Sequence, residues 1–125
     1  MKKLEQKLMS YIEEHSRELD QLLSDLVKIK SINFDTHGDE EKCEDLIMGE
    51  YRKLGLDAEK YYSTDVPGVL GHPDYLPGRD ADRRPNFSGT YRVSGAKKKL
   101  MLAAHTDVMP VGDVTKWSVD PFGGV

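Results

Sequence analysis

Residues 100–122 read LMLAAHTDVMPVGDVTKWSVDPF, and the fold turns on how residues 100–107 are read. Leu100-Met101-Leu102-Ala103-Ala104 is short and wholly apolar, which suits a central strand covered on both faces. The run ends in His105-Thr106-Asp107, just before a Pro110-Val111-Gly112 turn. In extended chain, residues i and i+2 point to the same side. His105 and Asp107 are therefore expected together at a strand end, where α/β sheets place their ligands. A neutral imidazole binds zinc at ~2.0–2.1 Å, and a neighbouring carboxylate can fix the ring and raise its basicity. The spacing suits a metal site. It suits equally a structural hydrogen-bonded pair at a sheet edge, and spacing alone does not separate the two.

Upstream of this run, Phe87, Thr90, Tyr91 and Val93 predict a strand, with Ser94-Gly95-Ala96 turning the chain. Lys97-Lys98-Lys99 follows as a solvated turn. Residues 63–85 read as a long loop, broken by Pro67, Gly68, Gly71, Pro73, Pro77, Gly78 and Pro85. Asp74, Arg79, Asp80, Asp82, Arg83 and Arg84 keep that loop wet. His72 and Asp74 lie in it at a chelating spacing, but no flanking strand would fix the pair, and a solvated turn is expected.

The N-terminal part is helical in pattern. Leu4, Leu8, Tyr11, Ile12, Leu19, Leu22, Leu23, Leu26, Val27 and Ile29 recur mostly at steps of three and four, which predicts one amphipathic helix over residues 4–29. His15 falls on or near its apolar stripe as a partly buried residue, and Ser31 and Asn33 end the pattern. A second helix begins around Asp39, whose followers Glu40 and Glu41 suit the positive end of the helix dipole. Cys43, Leu46, Ile47, Tyr51 and Leu54 form its apolar face, and Gly55 is a C′ stop. Cys43 reads as core packing. Residues 56–62 alternate as a short strand. Two helices leading into a sheet point to an α/β layered domain.

Composition excludes several classes. The chain of 125 residues is 38% hydrophobic and 32% charged, a globular balance rather than a disordered one. A net charge of -4 argues against a nucleic-acid partner. No apolar run reaches the ~20 residues needed to span a bilayer. MKKLEQKLMS lacks the apolar block of a secretion signal, and Cys43 alone permits no intrachain disulfide, so a cytoplasmic protein is expected.

Taken in order, an apolar strand, His105-Thr106-Asp107-Val108-Met109-Pro110-Val111-Gly112-Asp113, Trp117 and Asp120-Pro121-Phe122-Gly123-Gly124 resemble one zinc peptidase and deacylase family. That family contains acetylornithine deacetylase, succinyl-diaminopimelate desuccinylase, aminoacylase and the glutamate carboxypeptidases. Arg84-Pro85-Asn86, the two N-terminal helices and the Ile29-Lys30-Ser31 step are also similar to it. The resemblance is loose over the whole chain and specific over residues 84–124. It implies His105 as a metal ligand and Asp107 as the catalytic carboxylate that orients and tunes it. Trp117 and the Asp120-Pro121-Phe122 turn become structural. Ala104 stands where the family usually has Gly, and Met109 where valine is commoner; both touch packing more than metal binding.

The same resemblance implies an α/β fold class, the N-terminal part of a zinc-peptidase-like three-layer domain with two helices and then strands of a mixed central sheet. The implied reaction cleaves the amide bond of N-acyl amino acids or short peptides through a water activated by two Zn2+ ions, with Co2+ or Mn2+ as alternatives. In the family the bridging aspartate, a Glu-Glu pair and further ligands follow later than Phe122. Residues 1–125 are thus expected to be an incomplete portion of the catalytic domain, inactive alone and without a lid or dimerisation domain. The resemblance allows a homodimer for the complete protein. Two rival readings are a non-catalytic α/β domain that binds a small ligand or a protein, and a structural domain in which His105 and Asp107 satisfy each other.

Overall fold

A computed structural model describes residues 2–77 and 83–125. Gly78, Arg79, Asp80 and Asp82 of the expected loop lie outside the described residues. The chain divides into two units, Met1–Ile29 with Gly112–Val125, and Lys30–Val111.

In the first unit the expected single helix is two, α1 (Lys2–Glu14) and α2 (Ser16–Lys28). The break is at His15, half-buried as expected, whose backbone has φ -107° and ψ 12°. Its ring stacks on Tyr11 at 3.9 Å, and its Nδ1 lies 2.8 Å from the Tyr11 carbonyl. That carbonyl also accepts the His15 N–H at 3.1 Å, so ring and backbone compete for one acceptor where the ladder stops. The His15 carbonyl then accepts the Glu18 N–H, which starts α2.

Residues 112–125 are built from Asp side chains turned back on the backbone. Asp113 Oδ1 accepts from the Thr115 N–H at 3.0 Å and opens a 3-10 turn, Val114–Lys116. Asp120 accepts from the Phe122 N–H at 3.0 Å, which makes the Asp120-Pro121-Phe122 turn that the sequence predicts. Ser24 Oγ of α2 donates to the Gly124 carbonyl at 2.6 Å. Gly124 has φ +73°, and a Cβ there would sit 2.7 Å from the Ser24 carbonyl, so only glycine fits. Among the described residues no helix is long and apolar enough to cross a membrane.

In the second unit α3 (Glu44–Lys53) follows a 3-10 turn, Glu40–Cys43. The helix stops as expected at Gly55, φ +68°. The Gly55 N–H donates to the Arg52 carbonyl and the Leu56 N–H to the Tyr51 carbonyl, both at 3.0 Å, the paired bonds of a Schellman cap. β1 (Asp57–Tyr62) pairs antiparallel with β2 (Pro85–Thr90), with Ala58 opposite Gly89 and Lys60 opposite Phe87. Lys60 Nζ reaches Glu44 Oε2 at 2.8 Å, which fixes the face of the hairpin turned to α3. The small Ala58–Gly89 pair lets that face approach closely. The core is thin: Cys43 and Met48 are its buried apolar residues among those described.

Among the described residues the expected mixed central sheet is not formed. Among the described residues the only sheet is the β1–β2 hairpin, and parallel pairing is confined to a single Ile32–Val108 bridge. The run before His105 is not a buried strand: Leu100, Met101 and Leu102 are 84%, 86% and 87% exposed. A wholly apolar strand needs a partner along its edges and cover on both faces. Among the described residues nothing pairs with it. β2 also ends at Thr90, short of the expected Tyr91 and Val93, which are 72% and 60% exposed.

A Cβ added at Gly89 would lie 2.8 Å from Leu56 Cδ1 and 3.0 Å from the Tyr51 ring. Gly89→Ala is therefore expected to destabilise the second unit by about 1–3 kcal/mol, seen as a lower urea midpoint. An unchanged midpoint would mean that α3 does not pack on the hairpin through this pair.

Candidate functional site

Three short segments of the second unit build the site. Residues 31–33 leave the helical region in extended form and pair on two sides. On one side the Val108 N–H donates to the Ser31 carbonyl at 3.0 Å, and the Asn33 N–H to the Val108 carbonyl at 2.8 Å. On the other, the Asp39 N–H donates to the Ile32 carbonyl at 3.2 Å, with an antiparallel bridge between Asn33 and Gly38. Side chains add to the backbone pairing. Ser31, itself buried, donates through Oγ to the Thr106 carbonyl at 2.6 Å. Asn33 Nδ2 donates to Asp107 Oδ2 at 2.8 Å.

His105 and Asp107 come together as the sequence predicts. His105 Nδ1 is 3.2 Å from Asp107 Oδ1 and 3.0 Å from the Asp107 carbonyl oxygen. Two acceptors around Nδ1 favour the tautomer with the proton there, which leaves Nε2 with its lone pair. The imidazole is 85% exposed while the carboxylate is 28% exposed, so the support is half-buried and the ring accessible. Nδ1 is thus occupied by Asp107, and Nε2 is the nitrogen left accessible. Among the described residues the expected strand that would carry the pair is not formed; residues 31–33 carry it instead.

Asp107 sits beside a charged network. Arg84 Nε and Nη2 both contact Glu40 Oε1, at 2.8 and 2.7 Å, and Glu40 is 6% exposed. Arg83 pairs with Asp39 at 2.6 Å, and Lys42 with Asp39 at 2.7 Å. The Asp107 carboxyl lies below its ordinary range, chiefly because the Asn33 amide hydrogen-bonds the charged form; partial burial opposes this, and the charges of His105 and Arg84 assist. Burial pushes the Cys43 thiol up, and at 1% exposure this cysteine packs the core as expected. His72 and Asp74 are an exposed turn pair at 3.7 Å, with the Asp74 N–H donating to His72 Nδ1.

Sequence reasoning missed Ser31, Asn33 and Glu40 as parts of the site. Asn33 reads only as a helix terminator, and Ser31 as a terminator within the Ile29-Lys30-Ser31 step, although a polar pair at i and i+2 around Ile32 is itself the mark of an extended segment with one polar face. Among the described residues no three His, Cys, Asp or Glu side chains converge on a metal position. His105 and Asp107 fit one ligand and its support, not a whole coordination sphere.

No family model matches the chain, and no solved structure gives a significant match. Curated proteins do. The succinyl-diaminopimelate desuccinylase of Methylobacterium nodulans is 40% identical over 63 residues, 50% of this chain and 16% of that protein. The protein of the same name from Legionella pneumophila strain Corby is 29% identical over 105 residues, 84% of this chain and 22% of its own length. One from Cereibacter sphaeroides strain ATCC 17025 is 44% identical over 48 residues, 37% of this chain and 13% of that protein. The chain thus spans between 10% and 22% of the length of the curated relatives it matches. These partial matches support a resemblance to hydrolases of the peptidase and deacylase family.

The lowered Asp107 carboxyl has a signed consequence. Its stabilising contribution is complete above the ordinary value of 3.8 and is lost as pH falls through the depressed value of the folded state. Urea midpoints of wild type and Asp107→Asn, compared from neutral pH downwards, are expected to converge below that range. A gap that stays constant with pH would contradict the lowered carboxyl.

Proposed function

We propose that residues 1–125 are the opening portion of the catalytic domain of a metal-dependent amidohydrolase that releases the acyl group of an N-acyl amino acid or short peptide. The observation that carries this reading is the His105–Asp107 pair, an accessible imidazole whose Nδ1 hydrogen-bonds the Asp107 carbonyl oxygen at 3.0 Å, with the half-buried carboxylate 3.2 Å away. The partial likeness to succinyl-diaminopimelate desuccinylases supports it.

In this reading His105 binds one of two zinc ions through Nε2, and cobalt or manganese can substitute. The metal, when bound, supplies a Lewis acid and lowers the pKa of a water. Asp107 keeps the proton on Nδ1, so the lone pair stays on the ligating nitrogen, and its negative charge makes that nitrogen a stronger donor. Asn33 holds Asp107 by a hydrogen bond, and the charge of Arg84 favours its ionised form. A zinc site takes at least three protein ligands, so the other ligands and the general base belong to parts of the protein outside these residues. The substrate would be a small acylated molecule met in the cytoplasm, and the whole protein could be a homodimer.

The test uses the intact natural protein that carries this segment, assayed for bound metal and for hydrolysis of N-succinyl and N-acetyl amino acids. Asp107→Ala is expected to lower metal affinity or activity about 10–100-fold, and His105→Ala to lower it further. Full metal content and activity in His105→Ala would remove His105 from the site. A natural protein with neither divalent metal nor hydrolytic activity would leave the non-catalytic binding domain as the surviving reading.

A further inference from the structure

The side chain of Asn33 does something that packing alone does not explain. Its Nδ2 donates to Asp107 Oδ2 at 2.8 Å, while its own Oδ1 is buried with no hydrogen-bond partner. A side chain present only to fill space would not bury an unpaired carbonyl, because the lost hydration is not recovered. Exchanging the two ends of the amide would set Oδ1 against Asp107 Oδ2, two acceptors facing each other, so the amide has one chemically permitted orientation. Asp107 is therefore gripped at Oδ2, and Oδ1 is the oxygen left beside His105 Nδ1 at 3.2 Å, where Nδ1 also hydrogen-bonds the Asp107 carbonyl oxygen at 3.0 Å.

We propose that Asn33 is a positioning residue for the His105–Asp107 pair: by holding one oxygen of Asp107 it keeps the other on His105 Nδ1, and so selects Nε2 as the nitrogen that takes a ligand. Asn33 touches neither the imidazole nor, in this reading, the metal; it acts through Asp107. The inference rests on the reading of His105 as a metal ligand for its purpose, but the geometry it asserts can be measured without metal. The backbone of Asn33 is tied independently, through its N–H to the Val108 carbonyl at 2.8 Å, so the segment keeps its pairing when the side chain changes.

The test follows the ring nitrogens of His105 by long-range proton–nitrogen NMR on the metal-free form of the intact natural protein in mildly alkaline buffer. Wild type is expected to hold His105 mainly as the Nδ1–H tautomer. Asn33→Leu, which has similar bulk and no donor, should lower the Nδ1–H to Nε2–H ratio severalfold, and Asp107→Asn should do the same. Asn33→Ala, smaller and without any donor, gives a second reading in case the leucine variant loses the Asn33–Val108 pairing, which its amide signals report. A wild-type ratio in Asn33→Leu or Asn33→Ala, with that pairing intact, would overturn the proposal. Zinc uptake by the intact natural protein is scored separately. A tautomer shift without zinc uptake supports the positioning role and removes the metal reading, whereas zinc uptake with an unmoved tautomer overturns the positioning role alone.

Discussion

The site depends on one piece of backbone pairing between segments far apart in sequence. Residues 31–33 and 106–108 are joined by two N–H···O=C bonds and by the Ser31 hydroxyl on the Thr106 carbonyl. Closing a loop of that length costs chain entropy, though the cost grows only slowly with length. What offsets it is local: buried Ser31, the Ile32–Val108 bridge and the second pairing of Ile32 and Asn33 with residues 38–39. Given that pairing, the chemistry follows in one line, from the Asn33 amide to the Asp107 carboxylate to the His105 ring.

The same region buries one of its charges, Glu40, beneath a rim of more exposed cations. Glu40 is buried against Arg84, and two nitrogens of the guanidinium, Nε and Nη2, fall on one carboxylate oxygen while Oε2 has no partner. A buried ion pair of this kind is weak evidence for stability, since desolvation consumes most of the attraction. Removing one partner is another matter and costs about 3–5 kcal/mol, because a charge is left buried alone. The positive charge of Arg84 also lies near enough to favour ionised Asp107. Acidic residues that the sequence assigned to a helix dipole thus serve a network: Asp39 binds Lys42 and Arg83, and Glu40 binds Arg84.

Much of the local structure was legible in the residues themselves. Gly55 ended α3 where its left-handed conformation was expected, the alternation of residues 56–62 became β1, and Ser94-Gly95-Ala96 made a turn with φ +75° at Gly95. The departures at the first helix and at the run before His105 have a common cause. Periodicity reports which residues want burial, not whether something is available to bury them. The stripe of residues 4–29 could not reveal that His15 would take the Tyr11 carbonyl and split the helix. The run before His105 reads as a covered strand, yet no described segment pairs with it. At the site, His105 and Asp107 were visible from their spacing, because i and i+2 geometry is local. Ser31 and Asn33 were not, because their partners stand more than seventy residues away.

Amide hydrogen exchange at Asn33 and Val108 tests the pairing on which the site rests. The account predicts that both N–H groups exchange slowly, and that both lose protection together when the Ser31–Thr106 contact is removed by Ser31→Ala. Exchange of both amides at the rate of an unstructured chain in the wild-type protein would contradict it, and with it the assembly of the His105 site.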